Sequence, residues 1–163
     1  MAIINSIFYT QFLITNIMKR TFFICILAMS AFAFASCSTK TTQHDMTQMP
    51  VAAQKIVKDN FSSKVAAVEV ETNVMGANEY EVRLADGTEI QFVNEEWDEV
   101  KVPAGKSVPE YFVLQPIRTF LAENQPGLAI VSVDRDSKGY EVKLANGVEV
   151  KFDTAGKFVK YDH

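Results

Sequence analysis

The sequence contains the same short pattern twice, sixty positions apart, and this duplication limits the folds that the chain can adopt. Residues 79–92 read EYEVRLADGTEIQF and residues 139–152 read GYEVKLANGVEVKF, with eight of fourteen positions identical. Apolar and charged residues alternate on both sides of a turn that contains glycine, which is typical of a β-hairpin. A unit of about fifty residues buries too little apolar surface to fold alone. We therefore expect two similar units that share one core.

The alternation also predicts the turn of each hairpin. A two-residue loop would place Leu84 opposite Glu89 and would mix apolar and charged side chains on one face. A three-residue loop at 85–87, a type I turn followed by a bulge at the glycine, restores the separation. Leu84 then lies opposite Thr88, and the same register applies to the second hairpin. The apolar pairs predicted by this register are Val82 with Ile90, Tyr80 with Phe92, Val142 with Val150 and Tyr140 with Phe152.

The same register collects polar and charged residues on the opposite face, which we interpret as open to solvent and as the candidate partner-binding surface. The predicted pairs on this face are Arg83 with Glu89, Glu81 with Gln91, Lys143 with Glu149 and Glu141 with Lys151. A pair of opposite charges is worth roughly 0.2–1 kcal/mol across two strands. We add Trp97 and Tyr161, two aromatic residues expected beside this face. For Trp97 we favour packing on the sheet over a role as a ligand platform.

Each hairpin belongs to a larger predicted unit of one helix and four strands, α-β-β-β-β, and the two units span residues 50–102 and 108–161. Apolar residues recur at helical spacing after Pro50 and again after Pro116, and a short helical turn is predicted at 108–114. Because helices and strands are segregated along the chain, the predicted fold class is α+β, an antiparallel sheet with helices packed on one face. The two sheets could meet edge to edge or face to face.

The first 36 residues are predicted to be a secretory signal peptide. Two basic residues precede an apolar stretch at 21–35, which is short for a membrane-spanning helix. Met18 is a better start than the first methionine, so residues 1–17 are interpreted as a mis-assigned gene start. The alternative is one interrupted membrane anchor over residues 1–35.

Cys37 is the candidate lipid-attachment residue. The FASC sequence at 34–37 resembles a bacterial lipobox, in which the cysteine becomes lipidated and forms the new N-terminus. The motif has phenylalanine where leucine is usual, and AFA at 33–35 also fits ordinary signal peptidase. Both interpretations predict an exported bacterial protein, either released from the membrane or attached to it only through a lipid. Residues 37–49 are polar and are predicted to form a flexible tether.

The charge and the side-chain inventory argue against several functions. Residues 37–163 contain all twenty acidic residues and fourteen Lys and Arg, and this net charge of −6 argues against nucleic acid or an anionic membrane surface as partner. The cysteines are Cys25 and Cys37, so the mature domain has no thiol for a disulfide or a nucleophile. The histidines, His44 and His163, lie in the predicted tether and at the last position. We therefore predict no catalytic, cofactor-binding or metal-binding residue and no cofactor.

One segment begins like a calcium-binding loop. Residues 134–139 read DRDSKG, but Lys138 occupies a ligand position and no Glu closes the loop at the twelfth place. We interpret this segment as a tight loop before the second hairpin. The sequence also contains no Gly-rich phosphate loop, GxSxG or HExxH motif.

The stretch from Tyr140 to Phe158, preceded by Asn-Gln-Pro-Gly at 124–127, resembles the repeated motif of the PepSY-like family of exported bacterial proteins. This family is also described as beta-lactamase-inhibitor-like and is frequent in gut Bacteroidetes. The first copy, from Tyr80 to Trp97, is weaker, because Ser-Ser replaces Pro-Gly after the first helix and Glu96 stands where Gly is usual. The resemblance covers nearly all of residues 50–161.

The resemblance implies a periplasmic or surface module of a Gram-negative bacterium, with helices packed on an antiparallel sheet, and it implies no enzyme activity. We therefore expect a non-enzymatic envelope binding module that holds an unidentified envelope protein or peptide on its charged sheet face. An exported hydrolase restrained by the module is one such partner. The alternative is a small ligand or cation bound in the groove between the repeats, because a fold by itself does not assign a function.

Overall fold

A single antiparallel sheet runs through the computed structural model, which describes residues 39–72 and 78–162. Within these residues, nine strands follow one another in chain order from one edge of the sheet to the other. The strands are β1 (Thr39–Gln43), β2 (Val65–Thr72), β3 (Asn78–Leu84), β4 (Glu89–Val93), β5 (Glu96–Lys101), β6 (Ile130–Asp136), β7 (Gly139–Leu144), β8 (Glu149–Phe152) and β9 (Phe158–Asp162).

Two helices interrupt this series of strands at equivalent places. Helix α1 (Val51–Asn60) connects β1 to β2, and helix α2 (Gln115–Asn124) connects β5 to β6. A short 3₁₀ helix, Glu110–Phe112, precedes α2 within the predicted segment 108–114. Each α-helix has a proline at its start and buries two apolar residues one turn apart, which confirms the predicted apolar stripe. The buried pairs are Ala53 with Val57 and Ile117 with Leu121.

Both hairpins have the predicted three-residue turn. In the first, the Leu84 N–H donates to the Thr88 carbonyl at 2.8 Å, and the Gly87 N–H donates to the Leu84 carbonyl at 3.0 Å. Gly87 has a φ of +89°, the left-handed conformation that the bulge requires. The second hairpin repeats these contacts around Gly147, and every predicted cross-strand pair of both hairpins is present. The predicted turn and register are therefore confirmed.

The two repeats meet edge to edge, and this pairing decides between the two arrangements that the sequence left open. Strand β5 of the first repeat pairs with β6 of the second through three residue pairs. At the middle of this junction, Val100 lies opposite Val133, and neither side chain has any solvent-exposed surface. The nine strands therefore form one sheet, with the helices packed on one face, as the α+β prediction requires.

An aromatic cluster joins the repeats on the helix-covered face of the sheet. Phe112, from the 3₁₀ helix, is buried, and its ring centroid lies 5.2 Å from Trp97 and 5.7 Å from Phe61. Tyr140 of the second repeat lies 6.4 Å from Trp97. Buried aromatic side chains supply large apolar contact areas. This shared cluster is what we expect of two units that are too small to fold alone.

The predicted flexible tether at 37–49 is wrong for most of its length. Strand β1 pairs with β2 over five residues, the Lys40 ammonium lies 2.5 Å from the Glu69 carboxylate, and Met49 is buried in the core. Strand β1 consists of polar residues without apolar alternation, so backbone hydrogen bonds, and not the burial of side chains, hold this edge strand in place. The first structural repeat therefore begins with β1, and β5 takes the equivalent place in the second repeat.

Candidate functional site

The sheet face opposite the helices carries the predicted partner-binding surface, which we call the charged face. Its side chains are half-buried or exposed, and all eight strand residues predicted from the hairpin register lie on it. Their role as partner contacts stays a prediction. The main members of the charged face are Glu69, Glu81, Arg83, Glu89, Gln91, Glu99, Lys101, Asp134, Glu141, Lys143, Glu149 and Lys151.

In the first repeat, Arg83 is the centre of an ion-pair network. Its guanidinium lies 2.8 Å from Glu81, 3.6 Å from Glu69 and 3.9 Å from Glu89, and Lys40 reaches Glu69 from β1. The hydrogen bond from Lys40 lowers the pKa of Glu69, and the hydrogen bond to Glu81 raises the pKa of Arg83. Exposed ion pairs contribute about 1 kcal/mol or less each. The network therefore orients these side chains more than it stabilises the fold.

The second repeat neutralises its charges in the same way. The Lys143 ammonium lies 2.7 Å from Glu149, and the Lys151 ammonium lies 3.1 Å from Glu141 and 2.8 Å from Asp162. Hydrogen bonds to Asp162 and then to Glu141 raise the pKa of Lys151. The outer parts of the charged face thus consist of opposite charges that are paired within each repeat.

A row of three carboxylates crosses the junction between the repeats, and we call it the acidic row. Glu99 on β5, Asp134 on β6 and Glu141 on β7 are direct cross-strand neighbours in a groove of about 320 Å³. Asp134 reaches solvent, yet the protein atoms around it, and then the nearby carboxylates, raise its pKa to about 6. Glu99 pairs with Lys101 at 2.8 Å and Glu141 pairs with Lys151, whereas Asp134 has no ion pair among the described residues.

A larger groove of about 710 Å³ lies beside the β4–β5 and β6–β7 turns. On its wall, the Arg135 guanidinium stacks over the Trp97 ring at 4.6 Å, donates to the Trp97 carbonyl at 2.5 Å and donates to Glu96 at 3.0 Å. Burial raises the pKa of Asp98 on the same wall, against the opposing effect of Arg135. Only 8% of Trp97 is exposed, so little of its ring is accessible to a ligand.

Two predicted partner-binding residues, Trp97 and Tyr161, lie on the helix-covered face and not beside the charged face. Trp97 packs edge-on against Phe112, which confirms the sheet-packing interpretation. Tyr161 lies opposite buried Val150, and its hydroxyl accepts a hydrogen bond from Gln125 at 3.4 Å. Strands β5 and β9 each contain a one-residue bulge, which changes the alternation of side chains between the two faces. The faces of Trp97 and Tyr161 could therefore not be predicted by continuing the alternation of the hairpins.

The acidic row was missed because Glu99 and Asp134 become neighbours only through the pairing of β5 with β6. Hairpin register relates strands that are joined by a short turn, whereas α2 and its flanking segments separate these two strands. The sequence feature that came closest to indicating the acidic row was the segment 134–139, which begins with Asp134. The second half of this segment forms the predicted tight loop, in which the Asp136 carboxylate accepts hydrogen bonds from the Lys138 and Gly139 N–H groups at 2.7 and 3.1 Å.

The described residues contain no group of three His, Cys, Asp or Glu side chains placed to hold a metal ion. None of their helices is both long enough and apolar enough to cross a bilayer. His44 follows β1, and its Nδ1 lies 3.0 Å from the Ala66 carbonyl oxygen. Cys37, the signal-peptide prediction for residues 1–36, and His163 lie outside the described residues.

Two segments of the chain, residues 35–84 and 78–160, match the sequence model of the PepSY-like family, which is described as beta-lactamase-inhibitor-like. The second match ends within β9, so the two matches together cover both structural repeats. Among curated proteins, none matches the chain.

Three solved structures resemble the chain in both sequence and fold. A candidate periplasmic protein of unknown function from Bacteroides vulgatus is 37% identical, with a TM-score of 0.72 over 77% of this chain and 100% of that one. A candidate calcium-regulated periplasmic protein from Bacteroides thetaiotaomicron is 33% identical, with a TM-score of 0.70 over 76% and 97% of the two chains. Another candidate periplasmic protein from Bacteroides vulgatus is 30% identical, with a TM-score of 0.69 over 79% and 99%.

Proposed function

Because the chain belongs to the PepSY-like family, whose solved relatives are described as periplasmic, we propose that it is a non-enzymatic binding module of the bacterial envelope. Its charged face holds a protein or peptide, and an exported hydrolase restrained by the module is the leading partner class. The family match and the relatives support a location in the envelope. They do not identify the partner, because a shared fold does not assign a function.

The acidic row is the observation that carries this proposal. Like charges directly opposite each other weaken a sheet, so Glu99, Asp134 and Glu141 oppose folding where the two repeats meet. A Lys or Arg side chain of a partner, placed in the groove, would relieve this repulsion and lower the raised pKa of Asp134. Groups that disfavour the isolated fold and favour the complex are typical of functional sites.

The ion pairs on either side of the acidic row define the rest of the complementary surface. Arg83 in the first repeat and Lys143 in the second are each partly exposed, with 42% and 47% of the side chain accessible. Both side chains can therefore replace part of their ion pairing within the chain by ion pairs with carboxylates of a partner. A basic segment flanked by acidic residues would match the order of charges across the face, and such matching governs specificity and association rate.

Capture of partners from envelope extract, followed by their identification and by binding measurements with the purified partner, tests the proposal. Asp134→Asn should weaken binding about tenfold, because one charge-assisted contact is lost. Arg83→Glu and Lys143→Glu should weaken it at the flanks. Lys58→Glu is the matched control, since Lys58 is exposed on α1, away from the charged face. Binding that is unchanged in all three face variants would rule out the charged face.

We also propose that Cys37 carries a lipid that attaches the module to a membrane. The sequence FASC at 34–37 supports this, because a cysteine after a small residue closes the apolar region. Labelled palmitate should be incorporated by the wild type in a bacterial host and lost in Cys37→Ala. If the wild type takes up no label, ordinary secretion replaces lipid attachment.

A cation or small ligand between the repeats is the second candidate function. The description of the Bacteroides thetaiotaomicron relative as calcium-regulated favours it, and the groove that contains Asp134 is the place to test, although its carboxylates are not spaced as a set of metal ligands. The test is the melting temperature in the presence of calcium chloride. A rise that Asp134→Ala abolishes would favour this candidate, whereas an unchanged melting temperature would leave protein or peptide binding as the function to pursue.

A further inference from the structure

The outer edge of β9 has no neighbouring strand in the part of the chain that the structure describes. Strand β9 takes the place in the second repeat that β5 takes in the first, since Phe158 lies opposite Phe152 beside a bulge, as Trp97 lies opposite Phe92. The outer edge of β5 is occupied by β6, through only three residue pairs. The chain thus already contains one strand bound at an edge equivalent to that of β9.

Tyr161 presents its backbone N–H and carbonyl outward at this edge. In the β7–β8 hairpin, the Leu144 N–H donates to the Val148 carbonyl at 2.9 Å, so Val142 and Val150 form the next hydrogen-bonded pair. Val150 therefore directs its backbone groups toward β7, although Tyr161 lies opposite it on β9. Because the two kinds of pair alternate along a ladder, the Tyr161 groups point away from β8.

The charges beside Tyr161 are unevenly paired within one copy of the chain. Lys160 lies directly opposite Lys151, and Asp162 lies 2.8 Å from Lys151 and 3.3 Å from Lys160. One carboxylate at the edge thus lies between two ammonium groups, and Lys151 also has Glu141 as a partner. The Lys160 side chain is 56% exposed. A further carboxylate beside Lys160 would offset the repulsion between the Lys160 and Lys151 ammonium groups.

We propose that β9 pairs antiparallel with β9 of a second copy of the chain, about a two-fold axis at Tyr161. In this register the two Tyr161 residues exchange both backbone hydrogen bonds, and Lys160 of each copy lies opposite Asp162 of the other. The contact is isologous, because the same residues serve both sides. Centring the pair on Lys160 would place two lysines opposite each other, so the charges select the register.

A second copy is the occupant because the edge is complementary to itself. Read in opposite directions, Lys-Tyr-Asp at 160–162 places each charge against its opposite and Tyr161 against Tyr161. The axis is perpendicular to the sheet, so the charged faces of both copies lie on one side. The contact is made by Lys160, Tyr161 and Asp162, whereas the proposed binding of an envelope protein rests on the acidic row together with Arg83 and Lys143. A contact made mainly by short edge strands is small, so we expect a concentration-dependent dimer.

Sedimentation over a concentration series tests the proposal, with the full chain carrying Cys37→Ala to avoid lipid-driven association. The mass should rise from that of the monomer towards that of the dimer. Lys160→Asp or Asp162→Lys should raise the dissociation constant about tenfold, because both symmetric pairs become like-charged. The double variant Lys160→Asp, Asp162→Lys should restore association, since each charge again meets its opposite. Lys58→Asp on α1 is the control, and circular dichroism verifies the fold.

Cysteine cross-linking gives a second test that does not depend on charge. In the proposed register, residue 160 of one copy and residue 162 of the other form a non-hydrogen-bonded pair, whose Cα atoms lie about 4.5 Å apart, within the range of a disulfide. The double variant Lys160→Cys, Asp162→Cys should therefore form a disulfide-linked dimer under mild oxidation, and Lys160→Cys alone should do so much less. A protein that stays monomeric at every concentration, or a double charge swap that fails to restore the dimer, would falsify the proposal.

Discussion

At the scale of single residues, Gly139 occupies a position where a side chain has no room. Its φ is +142°, and a Cβ there would lie 2.0 Å from the Phe152 carbonyl oxygen and 2.7 Å from the Asp153 carbonyl carbon. Both are backbone atoms, which cannot move aside without distorting the β7–β8 region. The equivalent residue of the first repeat is Glu79, so this glycine belongs to the geometry of the second repeat and not to the repeated pattern.

Gly139→Ala should therefore lower the free energy of unfolding by about 3 kcal/mol or more, through a backbone clash added to an unfavourable φ. Gly105→Ala is the matched control, because Gly105 also has a positive φ, +86°, but has open space around its Cβ position. Its loss should be about 1 kcal/mol. Urea denaturation measures both values. Equal losses would contradict a role for the close approach to Phe152.

Asp134 should make the stability of the protein depend on pH. Its pKa is about 6 in the folded protein and about 4 in the unfolded chain, so the folded state binds the proton more tightly. The contribution of Asp134 to stability is therefore present at low pH and is lost as the pH rises through about 6. Asp134→Asn should raise the melting temperature relative to the wild type at about pH 7.5, and much less at about pH 4.5.

Glu123→Gln, on the exposed side of α2, is the control for this comparison, because it removes a carboxylate far from the acidic row. A gain in melting temperature for Asp134→Asn that is the same at both pH values would contradict the prediction. The result also bears on the proposed function. If Asn at this position stabilises the free protein and weakens partner binding, the repulsion in the acidic row serves recognition and not folding.

At the scale of elements, β1 depends on backbone hydrogen bonds more than on side-chain burial. Thr41 lies opposite Val70 and Thr42 lies opposite Glu69. Hydrogen-bonded and non-hydrogen-bonded pairs alternate along each ladder, and by this alternation from the first hairpin onward the Val70 N–H and carbonyl point toward β1. The Thr41 N–H therefore points into the sheet, and the Thr42 N–H points out. The two neighbouring threonines therefore differ in whether a ladder hydrogen bond uses their N–H.

Thr41→Pro should lower the free energy of unfolding by about 2 kcal/mol more than Thr42→Pro, because proline removes the donor only where the sheet uses it. Chemical denaturation of the two variants measures the difference. Both substitutions introduce the same ring one residue apart, so their difference isolates the hydrogen bond. Similar values for the two would mean that β1 does not stabilise the protein, as the flexible-tether interpretation had implied.

The two hairpins and β1 illustrate which elements were predictable. In the hairpins, alternation and a glycine at the bulge position act together, and pairs such as Val82 with Ile90 follow from counting outward from the turn. Strand β1 has no alternation to count. The bulges at Trp97 and Phe158 change parity without a glycine or proline to signal them, and that is why Tyr161 was predicted beside the wrong face.

At the scale of the whole molecule, the two repeats should unfold as one cooperative unit. Trp97 is the only tryptophan, and it contacts Phe112, Tyr140 and Arg135, which lie beyond the first repeat. Its fluorescence therefore reports on the contact between the repeats, whereas far-ultraviolet circular dichroism reports on the entire sheet. The two signals should give coincident unfolding transitions in the wild type.

Phe112→Ala should lower the free energy of unfolding by about 3–5 kcal/mol and shift both transitions equally, because it leaves a cavity where the repeats share their core. Tyr111→Ala is the control, since Tyr111 is adjacent and is 58% exposed. A fluorescence transition that separates from the circular dichroism transition would show that the repeats unfold independently, which would contradict a single shared core.

The sequence by itself determined the helix and the four strands that follow it in each repeat and, within the hairpins, the face on which every side chain lies. That information is local, because strand periodicity and turn chemistry act over a few residues. Only the tertiary structure decided that β1 joins the sheet, that β5 pairs with β6, and that Asp134 therefore lies between Glu99 and Glu141. Strand edges pair through backbone groups that are the same for nearly every residue, so the partner of an edge is chosen by the shared core and not by a local side-chain pattern.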